Sequence, residues 1–325
     1  EKLKIFVICP ASLKEEWART ATQATGLQIE AEKNCPADSL DMAIVTWAKI
    51  PTKINEEAVN NFVVVADEAH SMQSMESKRT ASVLSLVKHK RCVGVLLLTG
   101  TPMKNGKPSN LFPLLRAVRH PLGRHQRAYE AHFCQGALRS VGGRGQQWIA
   151  TGQANLKQLH RMIETNLLYM TKEEYLKEIP PMKRERRQVP ISSRFQQQYN
   201  EKVKKLAALK EALKTNTDLN DKALLGMTQE LRMICAQAKA NAAVGIAREI
   251  LEKEDEASIV IFTNFECLAS RMSKQLSDFG QEVALFTGKT PLKKRQAMVD
   301  GFQNELYSVF IATFGAGGVG LTLTK

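Results

Sequence analysis

The feature that most constrains this chain is a rhythm of short, nearly unbroken apolar runs separated by amphipathic stretches. Lys4–Cys9, Met42–Trp47, Phe62–Ala66 and Val93–Leu98 read as strands, with helices expected over Leu13–Gln23 and Glu76–His89. Runs that are apolar on both faces suit central parallel strands covered by helices on each side. Such βα repetition implies an open parallel sheet whose ligand crevice lies at the carboxyl ends of the strands. The rhythm stops after Leu111 and returns near Lys239, where Ala240, Ala243, Val244, Ala247, Ile250 and Leu251 form a helical stripe. Strand Ile259–Thr263 follows, then a helix aligning Leu268, Met272, Leu276 and Phe279, and strand Val283–Phe286. Thr290 is expected to cap the next helix, with Pro291 at its first position. Strand Ser308–Ala312 then leads into Gly315-Ala316-Gly317-Gly318-Val319-Gly320. The fold class is α/β, with two parallel-sheet lobes flanking a helical middle.

The middle carries the charge. Between Arg116 and Lys214 there are twenty Lys and Arg against eight Asp and Glu, which supplies twelve of the thirteen net positive charges. A positive field confined to one stretch is the footprint of a phosphate-backbone partner, although a solvated helical surface has the same composition. Lys183-Arg184-Glu185-Arg186-Arg187 also reads as a nuclear-import signal or an exposed linker. Residues 113–180 lack strand runs and contain a Gly-rich loop at 141–145. Asn155 is expected to cap a helix with Leu156, Leu159, Met162 and Ile163 on one face. Ile179-Pro180-Pro181 ends this region, and Tyr199–Lys214 reads as a second basic helix. The domain reading is 1–112, a first lobe; 113–238, helical outgrowths and a basic connector; and 239–325, a second lobe.

Several classes are disfavoured. With 43% hydrophobic and 24% charged residues the composition is that of a globular protein, not a disordered one. The longest apolar runs fall far short of the roughly 20 residues of a membrane helix. Six scattered cysteines fit reduced thiols inside a cell better than a disulfide framework. His120, His125, His132 and Cys134 match no common zinc spacing. Trp17, Trp47 and Trp148 read as packing residues, and no G-x-G-x-x-G dinucleotide fingerprint follows the first strand. The chain opens on Glu1-Lys2-Leu3-Lys4 without an initiator Met, as expected of a piece of something longer.

The strongest chemical signal is Asp67-Glu68-Ala69-His70 directly after the apolar run Phe62–Ala66. Two adjacent carboxylates ending a buried strand are costly unless a cation or a reaction uses them. In nucleotide hydrolysis an Asp here holds Mg²⁺ and the adjacent Glu polarises the attacking water. A helix-capping acidic pair is the bland alternative. The second signal is Thr99-Gly100-Thr101-Pro102, which puts two hydroxyls and a flexible backbone at the end of the next strand.

In order, Cys9-Pro10-Ala11-Ser12-Leu13, Val45-Thr46-Trp47, Asp67–His70, Leu98–Pro102, Ile261-Phe262-Thr263, Phe286-Thr287-Gly288 with Arg295, and Ala312 with Gly315–Leu323 resemble motifs Ia to V of helicase superfamily two, and more narrowly its Swi/Snf-type ATPase branch. Leu111-Phe112, Pro121-Leu122-Gly123, Leu231–Cys235 and Phe302-Gln303 also fit that branch. The resemblance implies two RecA-like lobes, both incomplete here, with helical protrusions between them, ATP in the cleft between the lobes and duplex DNA across the top. It implies Mg²⁺ on Asp67 through water, Glu68 on the hydrolytic water, and His70, Thr99, Gly100 and Thr101 as couplers of hydrolysis to movement. It further implies DNA contacts from Pro10, Ser12, Thr46, Thr287, Gly288 and Arg295, and a loop of Gly315, Gly317, Gly318 and Gly320 that meets DNA and ATP. Glycine there lets backbone N–H groups approach phosphate oxygens.

No G-x-x-x-x-G-K-[ST] phosphate loop occurs in the 325 residues; Thr287-Gly288-Lys289-Thr290 imitates only its tail, with Val at position 283. The arginines of motif VI are expected beyond residue 325, and Leu167–Lys172 stands where the family has an Arg-rich segment. The polypeptide as given is therefore expected to hydrolyse ATP negligibly, while its parent is active. The function that the resemblance implies is an ATP-dependent translocase on double-stranded or forked DNA, with nucleosomes or repair proteins as expected partners and the nucleus as its expected place in a eukaryote (cytoplasm or nucleoid otherwise). The compact spacing between motifs III and IV leans toward fork remodelling and strand annealing. The alternative is a catalytically dead module that still binds DNA or a partner.

Overall fold

The computed structural model describes residues 3–26, 29, 42–51, 61–140, 145–171, 182–215, 221–254, 256–318, 321 and 323. The chain divides into two compact units, Glu1–Pro180 and Pro181–Lys325.

In the first unit, β1 (Lys4–Cys9), β2 (Met42–Thr46), β3 (Phe62–Asp67) and β4 (Cys92–Leu98) form a parallel sheet in the order β2-β1-β3-β4. Their apolar runs follow from burial on both faces. Phe6, Ile8, Val45, Phe62, Val64 and Ala66 face a core shared with α2 (Lys78–Val87) and α3 (Phe112–Ala117). Val7, Cys9 and Ile44 face the opposite way, against Trp17 and Ala18 of α1 (Lys14–Thr25). Phe6 and Phe62 meet edge to face at 5.1 Å across the β1–β3 pair, a favoured aromatic geometry. β4 is different: among the described residues it is an edge strand, as β2 is, yet its Val93, Leu96 and Leu98 stay exposed.

The stretch expected to lack strands does contain two. β5 (Ala137–Ser140) and β6 (Gln146–Ile149) form an antiparallel hairpin. Its residues are exposed or half-buried, so the apolar runs used to find strands are missing. The Gly-rich stretch 141–144 lies outside the described residues. α4 (Gln126–Phe133) precedes the hairpin and α5 (Leu156–Ile163) follows it. Leu159 and Ile163 of α5 are buried as the stripe requires, whereas Leu156 and Met162 are exposed. Asn155 does not cap α5 with its side chain; at φ 51° its Nδ2 donates instead to the carbonyl of His132. The proline break at 179–181 also lies outside the described residues.

In the second unit, α6 (Ser193–Thr215) packs along α7 (Asp221–Lys253), with Lys202 paired to Glu230. α7 is continuous through residues 238–239, with Ala240, Val244 and Ala247 buried. β7 (Ile259–Thr263), β8 (Val283–Phe286) and β9 (Val309–Thr313) form a parallel sheet in the order β7-β9-β8. Central β9 splits its side chains between two layers. Val309 and Ile311 pack with α7 and α8 (Glu266–Ser277), whereas Phe310 and Ala312 pack with Phe286 and with Val299 and Phe302 of α9 (Leu292–Gln303). Pro291 itself is the N-cap of α9. Thr290 uses its hydroxyl elsewhere, accepting from the Thr287 N–H and donating to the Leu285 carbonyl. α10 (Phe314–Gly317) is a single turn after β9.

Candidate functional site

Parallel pairing in register brings distant motif residues of the first unit to one sheet edge. Cys9 is level with Thr46, Ile8 with Ala66, and Asp67 with Leu98. Pro10, Trp47, Glu68 and Thr99 therefore each stand one residue beyond a strand's carboxyl end, where open α/β sheets bind ligands.

Asp67 is the most heavily braced residue on that edge. Its Oδ2 accepts from Trp17 Nε1 at 2.9 Å, its Oδ1 from the Glu68 N–H at 2.9 Å, and its backbone carbonyl from Trp47 Nε1 at 2.9 Å. Trp47 is in turn tied to β1 through its N–H on the Cys9 carbonyl. Glu68 has φ 51°, ψ 48°, a left-handed conformation that is strained for a residue with a side chain. This twist ends the strand and turns the chain into the 3-10 turn Ala69–Met72. His70 Nδ1 lies 2.9 Å from Glu68 Oε2, close but angled away from hydrogen-bond geometry.

The next loop is tied to the same turn. Gln73, 9% exposed, donates from Nε2 to the carbonyls of Thr101 (2.7 Å) and Pro102 (2.9 Å). Thr99 Oγ1 accepts from the Thr101 N–H, which closes the Thr-Gly-Thr turn. A Cβ on Gly100 would meet nothing within 4 Å, so internal packing does not demand the glycine. Beneath the edge, burial beside Asp67 pushes the Cys9 thiol up to about 12, which keeps it protonated and unreactive at neutral pH.

The edge of the second sheet is built likewise from buried threonines. Thr263 and Thr313 are level across β7 and β9, and Phe286, level with Ala312, delivers Thr287. Thr287 is 4% exposed and its Oγ1 accepts from the Lys289 N–H. Arg295 clasps this loop from α9: its Nε donates to the Thr290 carbonyl, its Nη2 to that of Thr287, and its guanidinium lies 5.1 Å from the Phe286 ring centre. Lys289 reaches Glu266 at 2.8 Å, and that bond raises its pKa. Gly288 and Gly315 also face open space, whereas a Cβ on Gly317 would press on Leu321 and Ala312. Gly320 lies outside the described residues.

The tryptophans read as packing residues do pack, Trp47 in the core and Trp17 against Val7, Cys9 and Ile44. The sequence reading did not foresee that their indole nitrogens anchor Asp67, nor that Gln73 bridges two motifs. The histidines, by contrast, hold structure together. His120 accepts from the Leu122 N–H at Nδ1, which leaves Nε2 to donate to the Met162 carbonyl. His132 meets Gln158 at 2.8 Å. Among the described residues no group of three or more His, Cys, Asp or Glu is placed to hold a metal, and none of the helices is long and apolar enough to cross a membrane.

A sequence profile of the SNF2-related domain matches residues 1–240, and one of the helicase conserved C-terminal domain matches 242–325. The chain belongs to the SNF2-related family. This is a family of helicase-like ATPases. Among curated relatives, the chain is 25% identical over its whole length to the DNA annealing helicase and endonuclease ZRANB3 of Bos taurus, and 23% identical to that of Homo sapiens. It is 23% identical over 98% of its length to a Caenorhabditis elegans SWI/SNF-related regulator of chromatin, subfamily A-like protein 1 homolog. The chain spans 31% of either ZRANB3 and 46% of the worm protein. Among solved structures it is similar to a Sulfolobus solfataricus SWI2/SNF2 ATPase core in complex with dsDNA, at TM-score 0.41 and 18% identity, covering 96% of this chain and 67% of that one.

ATP, typically with Mg²⁺, is the cofactor pair this family uses, and the residues present fit the ion. Each Asp67 carboxylate oxygen takes one hydrogen bond, which orients the group and leaves both oxygens able to accept another. A single oriented carboxylate suits Mg²⁺, which keeps several waters and shares its other positions with phosphate oxygens.

Proposed function

We propose that residues 1–325 are the motor portion of an ATP-dependent translocase on double-stranded DNA, acting on forked DNA, with residues 1–112 and 239–325 as its lobes. What carries the reading is the convergence of residues 10–12, 46–47, 67–70 and 99–101 on the carboxyl edge of one parallel sheet. Asp67 holds the ion through water, and bound Mg²⁺ would neutralise charge developing on the transferred phosphate. Glu68 orients and polarises the attacking water, and His70, 2.9 Å from its carboxylate, couples hydrolysis to movement. Gln73 ties that turn to Thr99–Thr101, so a change at the carboxylates shifts the neighbouring loop. Pro10, Ser12, Thr46, Thr287 and Gly288 meet the DNA backbone, with Arg295 bracing the loop through the carbonyls of Thr287 and Thr290. Gly315 and Gly317 of α10, with Gly318 and Gly320 after it, are the glycines shared between DNA and nucleotide. The open space at Gly100, Gly288 and Gly315 supports close approach of a ligand there. The similarity to a DNA annealing helicase supports work on strands that part and re-pair over work on a nucleosome, and such work belongs in the nucleus of a eukaryote.

The reading is tested by ATP hydrolysis with and without duplex. Residues 1–325 alone, having no phosphate loop, turn over negligibly. Joined to a phosphate loop ahead of Glu1 and an arginine motif after Lys325, the chain hydrolyses ATP faster with duplex, and Glu68→Gln stops it. No DNA stimulation in the joined chain would leave the dead-module alternative standing.

A further inference from the structure

We infer that Trp17 is a positioning residue that aims the Asp67 carboxylate and couples it to the Pro10–Ser12 turn. The inference rests on the proposed metal role of Asp67 and adds a route between two parts of that site. Trp17 lies in the first turn of α1, which begins directly after the 3-10 turn Ala11–Leu13. A shift of that turn under a bound duplex must move the start of α1, because Leu13 N–H is bonded back to the Pro10 carbonyl and the helix continues from Lys14 without a break. The indole at Trp17 carries the shift to Asp67 Oδ2 through a 2.9 Å hydrogen bond. No flexible linker intervenes, and the path stays within the first unit.

The two indoles divide the work. Trp47 holds the backbone carbonyl of Asp67 and is 6% exposed, so it fixes where the strand ends. Trp17 is half-buried on a surface helix and touches the carboxylate itself, so it fixes where the oxygens point and is free to respond. Hydrogen bonds that orient a metal-binding group from behind usually carry roughly 10- to 100-fold in metal affinity. Affinity coupling is reciprocal, so a duplex that moves Trp17 must change metal affinity by the same factor that metal changes duplex affinity.

The test needs no turnover. Residues 1–325 labelled at the indole nitrogens give one resonance for each of Trp17, Trp47 and Trp148, with Trp148 bonded to Glu130 as the internal control. Titration with Mn²⁺ alone broadens Trp17 and Trp47 ahead of Trp148. Trp17→Phe, which keeps an aromatic ring but loses the donor, weakens Mn²⁺ by about tenfold; Trp17→Gln restores part of the loss by returning an N–H. A short duplex changes the Mn²⁺ affinity of the unsubstituted chain several-fold and that of Trp17→Phe not at all. If Mn²⁺ broadens all three indoles alike, the metal role of Asp67 falls, and this inference with it. If broadening is selective but Trp17→Phe binds Mn²⁺ as the parent does, or keeps the duplex effect, the inference alone is overturned. An unshifted Trp148 resonance in the variants shows that the fold is intact.

Discussion

The side-chain amide of Gln73 donates to the carbonyl of Thr101 at 2.7 Å, and this bond joins the turn after Asp67 and Glu68 to the Thr99–Thr101 loop. The second amide hydrogen goes to Pro102 at 2.9 Å, while Oε1 is buried with no partner. An orphaned acceptor is a cost of about 1–3 kcal/mol, against a gain of about 1 kcal/mol for each neutral hydrogen bond. The link is thus nearly neutral for stability and large for geometry. Gln73→Leu, which removes bonds and orphan together, should change unfolding free energy in urea by less than about 1 kcal/mol. It should nevertheless raise amide hydrogen exchange in the 99–103 loop several-fold. A large stability loss with unchanged exchange would show that Gln73 is a packing residue.

Gly123 makes a sharper prediction about the fold. A Cβ there would lie 2.4 Å from the Arg116 N and 2.5 Å from its Cα, both backbone atoms of α3 that cannot step aside. Gly123→Ala should therefore cost about 1–3 kcal/mol, as overpacking does. Gly100→Ala, which meets open space, should melt within a degree or two of the parent. Equal melting temperatures for the two variants would contradict the packing described.

What the sequence made legible was whatever burial imprints on it. Phe62–Ala66 and Val309–Ala312 announce parallel strands because both their faces are covered. The β5–β6 hairpin was illegible because its residues are exposed, so no apolar pattern marks it. Thr290 looked like a cap because its spacing before Pro291 is right, but its hydroxyl is taken by the loop it closes. Of the site, Asp67, Glu68 and the threonines were legible as polar residues at strand ends. Trp17 was not, because an indole that packs with its ring and bonds with its nitrogen has the same letter as one that only packs. Gln73 gave no signal either; only the fold brings it to residues 28 and 29 positions away.

Buried thiols set the alkaline limit of the first unit. Burial raises Cys9 from an ordinary 9.0 to about 12 and Cys134 to about 11, and it also raises the Tyr129 hydroxyl. A raised acid prefers its neutral form in the fold. The associated stability is complete below about pH 9 and is lost as pH climbs through the folded values. Urea midpoints should hold steady up to about pH 9 and fall steeply toward pH 11–12. Cys9→Ala should flatten that fall. A midpoint independent of pH across this window would mean that these thiols are open to solvent.

The basic strap offers a quantitative test of nucleic-acid binding. Lys183, Arg184 and Arg186 are exposed on a segment without regular secondary structure, while Arg187 is drawn toward Glu185 and Glu249. If the first three meet phosphates, replacing all three by Gln should weaken binding to a 30-base-pair duplex regardless of its sequence. The slope of log affinity against log salt should also fall in magnitude by about 0.9 for each phosphate no longer neutralised. Arg187→Gln should have the smaller effect. An unchanged slope in the triple variant would assign the strap to solvent.

The central claim is that these residues move along duplex DNA. It is tested most directly by displacement of a triplex-forming strand from a duplex track by residues 1–325 joined to a phosphate loop and an arginine motif. The account predicts displacement that requires ATP, grows with time on tracks open at one end, and disappears in Glu68→Gln although duplex binding persists. ATP hydrolysis stimulated by duplex but without any displacement of the third strand would contradict it.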